Sequence, residues 1–364
     1  MARAAVLHAI GDDGLDLRDD ISTIDPGPGQ VKVAIRATGV CHTDLSLISG
    51  VLRQPLPMVL GHEGAGVVTA TGAGVTGVRP GDHVVISWMP DCGECADCLR
   101  GQPYLCLTLR TRARSEPRFR LGDGSPAYGM SGTGTWAEEL VTHRRSVIKV
   151  AGDVPFEYAA LLGCGIPTGV GAVINTARVE PGSTVAVVGA GGVGLSVVQG
   201  ARLAGATTIL AIDPNEAKHP IAERFGATHT TTPDGLEEAA GLLTGGAGFD
   251  YAFEVVGRST AVTTAWEATR RGGEVIMVGA GAADDMWSLP TSRLLFEGKN
   301  LRSSLYGGCD LKRDIPRFVD LWRAGRLDIE GLITSRIGFG DLKDAVRTLA
   351  GGDAIRQIVL FDER

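Results

Sequence analysis

The sequence predicts an α/β fold in two parts, and three observations carry that reading. The chain has 364 residues, 44% of them apolar, which is more than a single hydrophobic core usually serves. Before about residue 165 apolar and polar residues alternate, and turn signals recur about every eight to twelve residues, as in a β-rich domain. From Ser183 onward the pattern becomes apolar strand, glycine turn, helix and strand, repeated. That is how βαβ units of a parallel sheet read.

Taken in order, VKVAIRATGV (residues 31–40) alternates as a half-buried strand and leads into a CHTD turn. GAGVVTATGAGV and HVVIS read as further strands punctuated by glycine. TVAVVG is a buried strand, VGLSVVQGARLA has helical period, and TTILAID is the next strand. FDYAFEVVG and GEVIMVG are later strands of the same kind, each ending in glycine. After about residue 305 the sheet pattern stops. IPRFVDLWRAGRL and LKDAVRTLAGG read as helices and IRQIVLF as a closing strand. Periodicity alone does not decide whether these last residues rejoin the first part or extend the second.

The formal net charge is −7, with acidic and basic residues mixed along most of the chain, which argues against nucleic acid as a partner. No stretch approaches the ~20 apolar residues of a membrane span. The start, MARAAVLHAIGDDG, lacks the basic and long apolar regions of a secretory signal, so a cytoplasmic protein is expected. The 52 glycines, many in short turn-like strings, suit an α/β protein with tight connections. One local exception to the charge mixing runs from Arg110 to Arg120. It holds Arg110, Arg112, Arg114, Arg118 and Arg120 against Glu116 alone. It reads as a solvated surface loop, or more sharply as an anion-attracting rim.

Cys92, Cys95, Cys98 and Cys106 stand within fifteen residues, in DCGECADCLRGQPYLC. Thiolates at that spacing can close a tetrahedral zinc site. The alternative is a pair of disulfides, but clustered cysteines in an intracellular chain more often bind metal. Four thiolates leave no open coordination position, so this group is structural in expectation.

Gly189-Ala190-Gly191-Gly192-Val193-Gly194 fits G-x-G-x-x-G between a strand and a helix, the context that motif needs. Gly189 makes the turn, Gly191 lets the backbone approach a pyrophosphate, and Gly194 lets helix and strand pack closely. The helix N-terminus points free N–H groups at the phosphates. Asp213 ends the next strand, where a carboxylate accepts from adenosine ribose hydroxyls and repels a 2′-phosphate, which favours NAD over NADP. The competing reading of Asp213 is a strand-end turn former before Pro214-Asn215.

Three cysteines remain: Cys41 in GVCHTD, Cys164 in LLGCGIPTG, and Cys309. Cys41 and Cys164 with His62 of GHEGAG would give a zinc three ligands and one open position. Each also has an ordinary reading, Cys164 as a small core residue and His62 as a loop histidine, and spacing alone does not assemble them.

These motifs occur in a fixed order: GVCHTD, GHEGAG, CGECADC with Cys106, LLGCGIPTG and VVGAGGVG. Together they resemble the zinc-dependent, medium-chain alcohol dehydrogenase family, and within it the class III, thiol-dependent formaldehyde dehydrogenase-like bacterial members. The resemblance runs from about residue 5 to the C-terminus. It implies a GroES-like β-rich catalytic domain from residues 1–164 and 306–364. A Rossmann, doubly wound parallel-sheet domain for NAD, residues 165–305, is inserted between them. It implies Cys41, His62 and Cys164 as catalytic-zinc ligands and Cys92, Cys95, Cys98 and Cys106 as structural-zinc ligands, two Zn²⁺ per chain. It implies that His42 contacts the cofactor pyrophosphate, Thr43 hydrogen-bonds the reacting alcohol, Asp44 orients the histidine ligand and Glu63 neighbours the zinc. Lys218 and Arg356 are implied as cofactor contacts, Thr168 and Val193 as residues near the nicotinamide, and Trp88 as a wall of the substrate pocket, against the plainer reading of a core aromatic.

The implied activity is reversible oxidation of an alcohol to an aldehyde with hydride transfer to NAD, by a homodimer or homotetramer. Ser46 stands where better-known relatives keep a relay histidine, so proton release is expected through water or His42. Arg110 matches an arginine that class III relatives use for an anionic thiol adduct, but the stretch after it departs from their pattern and is shorter. Primary aliphatic or aromatic alcohols are therefore the favoured substrates. S-hydroxymethyl thiols, formed from formaldehyde with glutathione or mycothiol, are the alternative. A third reading, a nucleotide-binding scaffold with structural zinc only, is disfavoured by the intact set Cys41, His62, Glu63 and Cys164.

Overall fold

The computed structural model describes residues 1–11 and 14–361. The chain divides into two compact units. The first comprises Met1–Cys164, Asp310–Ala324 and the chain from Ile329 onward. The second comprises Gly165–Cys309 and Gly325–Asp328.

The first unit is built on β-structure. A closed barrel runs through Ala2–Leu7, Leu15–Thr23, Phe119–Arg120, Pro126–Gly129 and Met58–Val59. A larger sheet orders Val147–Lys149, His83–Ile86, Gly64–Thr71, Gln30–Val40, Arg356–Leu360 and Ile333–Gly338, with Glu139–His143 also pairing Gln30–Val40. The long strand Gln30–Val40 alternates buried and half-buried residues as far as Arg36, then is buried on both faces from Ala37 to Val40. That change marks where the strand enters the interior and delivers Cys41. The core around it includes Val33, Ile35, Trp136, Phe119 and Met58, and the Trp136 indole N–H donates to the Gly39 carbonyl at 3.0 Å.

The C-terminal strand settles the ambiguity left by periodicity. Arg356–Leu360 lies antiparallel to Gln30–Val40, with Gln357 opposite Val40, and parallel to Ile333–Gly338. The helix Leu342–Gly351 falls on the segment read as helical, whereas Leu311–Arg323 starts four residues before IPRFVDLWRAGRL and ends before its AGRL. Ile333–Gly338 is a strand the sequence reading passed over, because its alternation spans only ITSRIG at a sheet edge.

The second unit holds a six-stranded, wholly parallel sheet. Its order is His229–Thr231, Thr208–Ile212, Thr184–Val188, Phe249–Glu254, Thr269–Met277 and Asn300–Ser303. Counted along the chain this is 3-2-1-4-5-6, the doubly wound dinucleotide-binding order, with its crevice where the order reverses beside Thr184–Val188. Trp266, Phe249, Leu210 and Val275 lie in its core.

Residues 306–309 pack with the second unit, although the sequence reading assigned everything from 306 to the first. Tyr306, Gly307 and Gly308 all have left-handed φ (53°, 66° and 61°). They fold onto the helix Gly165–Gly171 so closely that a Cβ on Gly307 would fall 1.9 Å from the Pro167 carbonyl oxygen. Residues 325–328 join the same unit because Gln199 grips Asp328 twice, donating to its carbonyl at 3.1 Å and accepting from its N–H at 2.7 Å.

Candidate functional site

The four clustered cysteines converge: their sulfur atoms lie within 4.8 Å of one another. Cys95 precedes the short helix Ala96–Leu99, and Cys106 precedes the helix Leu107–Ser115. Backbone N–H groups already point at sulfur, from Cys95 to the Cys92 Sγ at 3.2 Å and from Cys92 to the Cys106 Sγ at 3.3 Å. Such bonds favour thiolate. The N–H groups of Glu94 and Cys95 hold the Cys92 thiol down at about 6, while burial pushes Cys98 up to about 12. All seven cysteines are free, and Sγ separations of 3.5 Å and 3.9 Å are far beyond a disulfide bond. The donor set therefore fits a closed zinc site. Asp91 pins the lobe, accepting from Arg145 at 3.0 Å and Lys312 at 2.8 Å.

The run after Cys106 departs from the expected loop. Residues Leu107–Ser115 are helical, because leucine and arginine are good helix formers and Pro117 comes only after the helix has ended. Arg118 is buried rather than solvated.

The second group is assembled from distant segments. Cys41, His62, Glu63 and Cys164 are all buried, with ligand atoms within 4.8 Å of one another. The CHTD segment is not a free turn. Cys41 caps the helix His42–Ile48, and the Asp44 carboxylate reaches back to the Cys41 N–H at 2.9 Å. The other Asp44 oxygen lies 3.2 Å from His62 Nδ1. A proton on Nδ1 would leave the Nε2 lone pair for a metal. Nε2 is buried and has no hydrogen-bond partner among the described residues. Two sulfurs, an orphaned imidazole nitrogen and a carboxylate fit a zinc site with an exchangeable position.

Electrostatics in this pocket are strongly coupled. The hydrogen bond from Cys164, opposed by burial, holds the Cys41 thiol well below its ordinary value, and the same bond pushes Cys164 well above its own. Burial works against the His62 cation, but Asp44 and Cys41 outweigh it and hold the ring well above its usual value. Burial raises Asp44 and lifts Glu63 to about 7 despite Arg356, whose Nη1 is 3.5 Å from Glu63 Oε1. Gly39 is required here, since a Cβ would fall 2.2 Å from Glu63 Oε2. The Trp88 ring stands edge-on to His62 with centroids 6.0 Å apart. Thr43 Oγ1 is 3.9 Å from the Cys41 sulfur, His42 is exposed, and the Ser46 hydroxyl donates to the His42 carbonyl at 3.0 Å.

In the second unit, Gly189 has φ +106° and Gly191 caps the helix Gly192–Ala204. A Cβ on Gly194 would fall 1.9 Å from the Gly189 carbonyl oxygen, whereas a Cβ on Gly191 would meet nothing within 4 Å. Gly194 thus serves internal packing, and Gly191 leaves room for a ligand to approach the backbone. Gly192 is buried in the first helical turn and Val193 half-buried beside it. Asp213 accepts from the Ala190 N–H at 2.8 Å and the Asn215 N–H at 2.9 Å, and Lys218 Nζ lies 3.6 Å away. The loop therefore fits the diphosphate and ribose of a dinucleotide. Thr168 is half-buried in Gly165–Gly171, and Cys309 is buried with its thiol toward the Pro167 carbonyl.

One residue escaped the sequence reading. Glu254 ends its strand fully buried and accepts from the Val256 and Gly257 N–H groups at 2.7 Å and 2.6 Å. It shapes the loop whose Val255 and Val256 methyls border Gly189. An acid closing the buried half of the strand FDYAFE was the signal.

Residues 27–152 match the family model for the alcohol dehydrogenase GroES-like domain, and residues 192–323 that for zinc-binding dehydrogenases. The chain belongs to the zinc-dependent medium-chain alcohol dehydrogenase family. As a member it is an oxidoreductase. It is 38% identical to an S-(hydroxymethyl)glutathione dehydrogenase of Paracoccus denitrificans over 94% of this chain and 95% of the relative. It is 37% identical to an alcohol dehydrogenase class-3 of Cereibacter sphaeroides over the same shares. Among solved structures, benzyl alcohol dehydrogenase of Acinetobacter calcoaceticus is similar at 31% identity and TM-score 0.91, with 99% of each chain covered. An alcohol dehydrogenase zinc-binding domain protein of Burkholderia ambifaria is similar at 33% identity and TM-score 0.93, covering 100% of this chain and 99% of that one. Among the described residues no helix is long and apolar enough to cross a membrane.

Proposed function

We propose that this chain oxidises an alcohol to its aldehyde with hydride transfer to NAD, and that the alcohol is the S-hydroxymethyl adduct of a low-molecular-weight thiol. The observation that carries the reaction class is the buried group of Cys41, His62 and Cys164 with an unshared imidazole nitrogen. What supports the thiol adduct is the naming of the full-length relatives at 37–38% identity, against the sequence-based preference for plain alcohols.

A zinc ion held by Cys41, His62 and Cys164 would supply Lewis acidity, which lowers the pKa of a bound oxygen from near 16 to about 7 in well-tuned sites. NAD would accept the hydride. The protein's own residues do the rest. Asp44 fixes the tautomer and angle of His62. Cys41 and Cys164 supply anionic charge that moderates the metal. Thr43 holds the alcohol's proton at its hydroxyl and passes it outward through water or His42. Ser46, tied to the His42 carbonyl, steadies that exit. Glu63 and Arg356 balance each other beside the ligands, and Arg356 and Lys218 serve as cofactor contacts. Gly189, Gly191, Gly192, Val193, Gly194 and Thr168 frame the cofactor, and Asp213 takes the ribose. Cys92, Cys95, Cys98 and Cys106 hold a second, structural zinc.

The first unit would be the catalytic domain and the second the NAD domain. We also read the chain as a homo-oligomer, since the edge strand Asn300–Ser303 is unpaired on one side among the described residues, and Leu294, Leu295, Phe296 and Leu301 stand exposed. A second substrate reading, primary aliphatic or aromatic alcohols, is favoured by the benzyl alcohol dehydrogenase likeness. The test is NADH formation from formaldehyde with glutathione, with mycothiol and with no thiol, beside n-octanol and benzyl alcohol. Turnover that requires a thiol is the expected result. Equal turnover of the plain alcohols, with none from the adducts, would overturn it.

A further inference from the structure

The dinucleotide crevice has two halves, and they carry charge differently. On one side of the strand Thr184–Val188 lies Thr208–Ile212, which leads into Asp213. On the other side lies Phe249–Glu254. A dinucleotide spans both halves of such a crevice. With the adenosine ribose at Asp213, the nicotinamide falls to the half that Phe249–Glu254 opens. Asp213 has a cation beside it, with Lys218 Nζ 3.6 Å away. Glu254 is wholly buried, and among the described residues its carboxyl meets backbone N–H groups and no basic side chain.

Backbone and side chain of this residue are both fixed. Glu254 pairs with Val188 on one neighbouring strand and Met277 on the other. Its carbonyl accepts from the Val278 and Gly279 N–H groups at 2.8 Å and 3.1 Å, and the Val255 N–H donates to the Val188 carbonyl at 3.1 Å. Its Oε1 accepts from Val256 and Gly257. Its Oε2 is buried with no hydrogen-bond partner among the described residues. Burial pushes the carboxyl up, while the Gly257 and Val256 N–H groups favour its charged form. A buried charge left half-satisfied is costly, and folds depart from full satisfaction mainly at functional sites.

We propose that Glu254 determines which redox form of the cofactor this chain prefers: its buried negative charge, at the nicotinamide half of the crevice, favours the oxidised ring over the reduced one. The oxidised nicotinamide is a cation and the reduced one is neutral, so only the first is attracted. The inference rests on the reading of the second unit as an NAD domain. Contact is not required, because a charge shut away from water is weakly screened and its field reaches beyond hydrogen-bond distance. Asp213 does not act in this way, since Lys218 offsets it and the adenosine end has the same charge in both forms. The consequence is directional. The charge draws in the oxidised cofactor, and once the ring is reduced the attraction ends and release is eased.

The test measures Kd by calorimetry for NAD⁺, NADH and ADP-ribose, which lacks the nicotinamide, in the parent, Glu254→Gln and Glu254→Asp. Glu254→Gln keeps the size and an acceptor for the two N–H groups but loses the charge. The ratio of Kd for NAD⁺ over Kd for NADH is expected to rise about fivefold, the size of effect one partly screened charge produces. NADH and ADP-ribose should bind within about twofold of the parent. Glu254→Asp keeps the charge, so its ratio should stay within about twofold of the parent even where all three ligands weaken together. An unchanged ratio in Glu254→Gln overturns the proposal. So does a ratio raised as far in Glu254→Asp, or an equal loss of all three ligands in Glu254→Gln, which would leave the residue a purely structural part of its loop. A parent that binds none of the three would sink the NAD reading itself, whereas binding with an unmoved ratio sinks this proposal alone.

Discussion

The two candidate metal groups are built in opposite ways. Cys92, Cys95, Cys98 and Cys106 come from one lobe of fifteen residues, with three of the four cysteines half-buried and backbone N–H groups already aimed at two of the sulfurs. Cys41, His62, Glu63 and Cys164 come from a strand end, a loop and a helix end far apart in the chain, and all are buried. The first group has only thiols and no vacancy. The second mixes sulfur, nitrogen and carboxylate, and Asp44 and Arg356 press on it from either side. The difference teaches that a local site is written in spacing, whereas a reactive site is written in the fold that gathers it.

The comparison breaks most sharply at Cys164. Cys164→Ser is expected to lower kcat by about a thousandfold or more, since zinc's Lewis acidity is worth several kcal/mol. Metal analysis is expected to show one zinc per chain for the variant and two for the parent. A variant with parental rate and one zinc would mean that the buried group is not the reactive one. Cys98→Ser also removes one zinc, but its main effect should be on stability, a fall in Tm of about 5 °C or more, with rate lost only in step with unfolding. If that variant kept its Tm and lost only turnover, the roles of the two groups would have to be exchanged.

Asp44→Asn tests whether the buried group depends on its support. It removes the charge that holds His62 and should cost about 10–100-fold in zinc affinity or kcat, read by competition with a chelator. Asp213→Gly asks the same of the cofactor loop. The ratio of kcat/KM for NAD over NADP should fall by about tenfold or more, and an unchanged ratio would remove Asp213 from the ribose.

A polar cluster that needs no metal sets the lower end of the scale. Arg293, with Lys299 and the Trp266 indole N–H, holds the Glu297 carboxyl down at about 2, below its ordinary 4.5. A carboxyl lowered on folding stabilises above its unfolded value, and that contribution fades as pH falls toward the folded one. Glu297→Gln should therefore cost up to about 1 kcal/mol at pH 7 in denaturant titrations, with the gap narrowing below about pH 4.5. A gap that widens in acid would contradict this assignment.

The sequence carried the architecture well where periodicity is long. The parallel strands from Thr184 to Met277 and the helix Gly192–Ala204 are plain in TVAVVG, TTILAID and VGLSVVQGARLA. It carried the four-cysteine lobe because the ligands are neighbours in the chain. It did not by itself assemble Cys41, His62 and Cys164, since burial and the Asp44 bridge arise only after folding; motif order supplied what spacing could not. The edge strand Ile333–Gly338 was too short to stand out. The helix at Leu107–Ser115 was hidden by its charge, and helix propensity outweighed the repulsion among its arginines. Glu254 was missed because a buried acid at a strand end is recognised only once its N–H partners are seen.

The pairing of Gln357 with Val40 has a consequence for biosynthesis. The ribosome releases Cys41, His62 and Cys164 long before the strand that flanks Cys41 and brings Arg356 to Glu63. Between residue 164 and residue 356, at roughly 5–20 residues per second, the nascent chain waits on the order of ten to forty seconds. The four-cysteine lobe can close at once. The buried ligands stay uncovered until residue 356 has emerged, so a nascent chain that stops short of that strand holds thiols without a shelter.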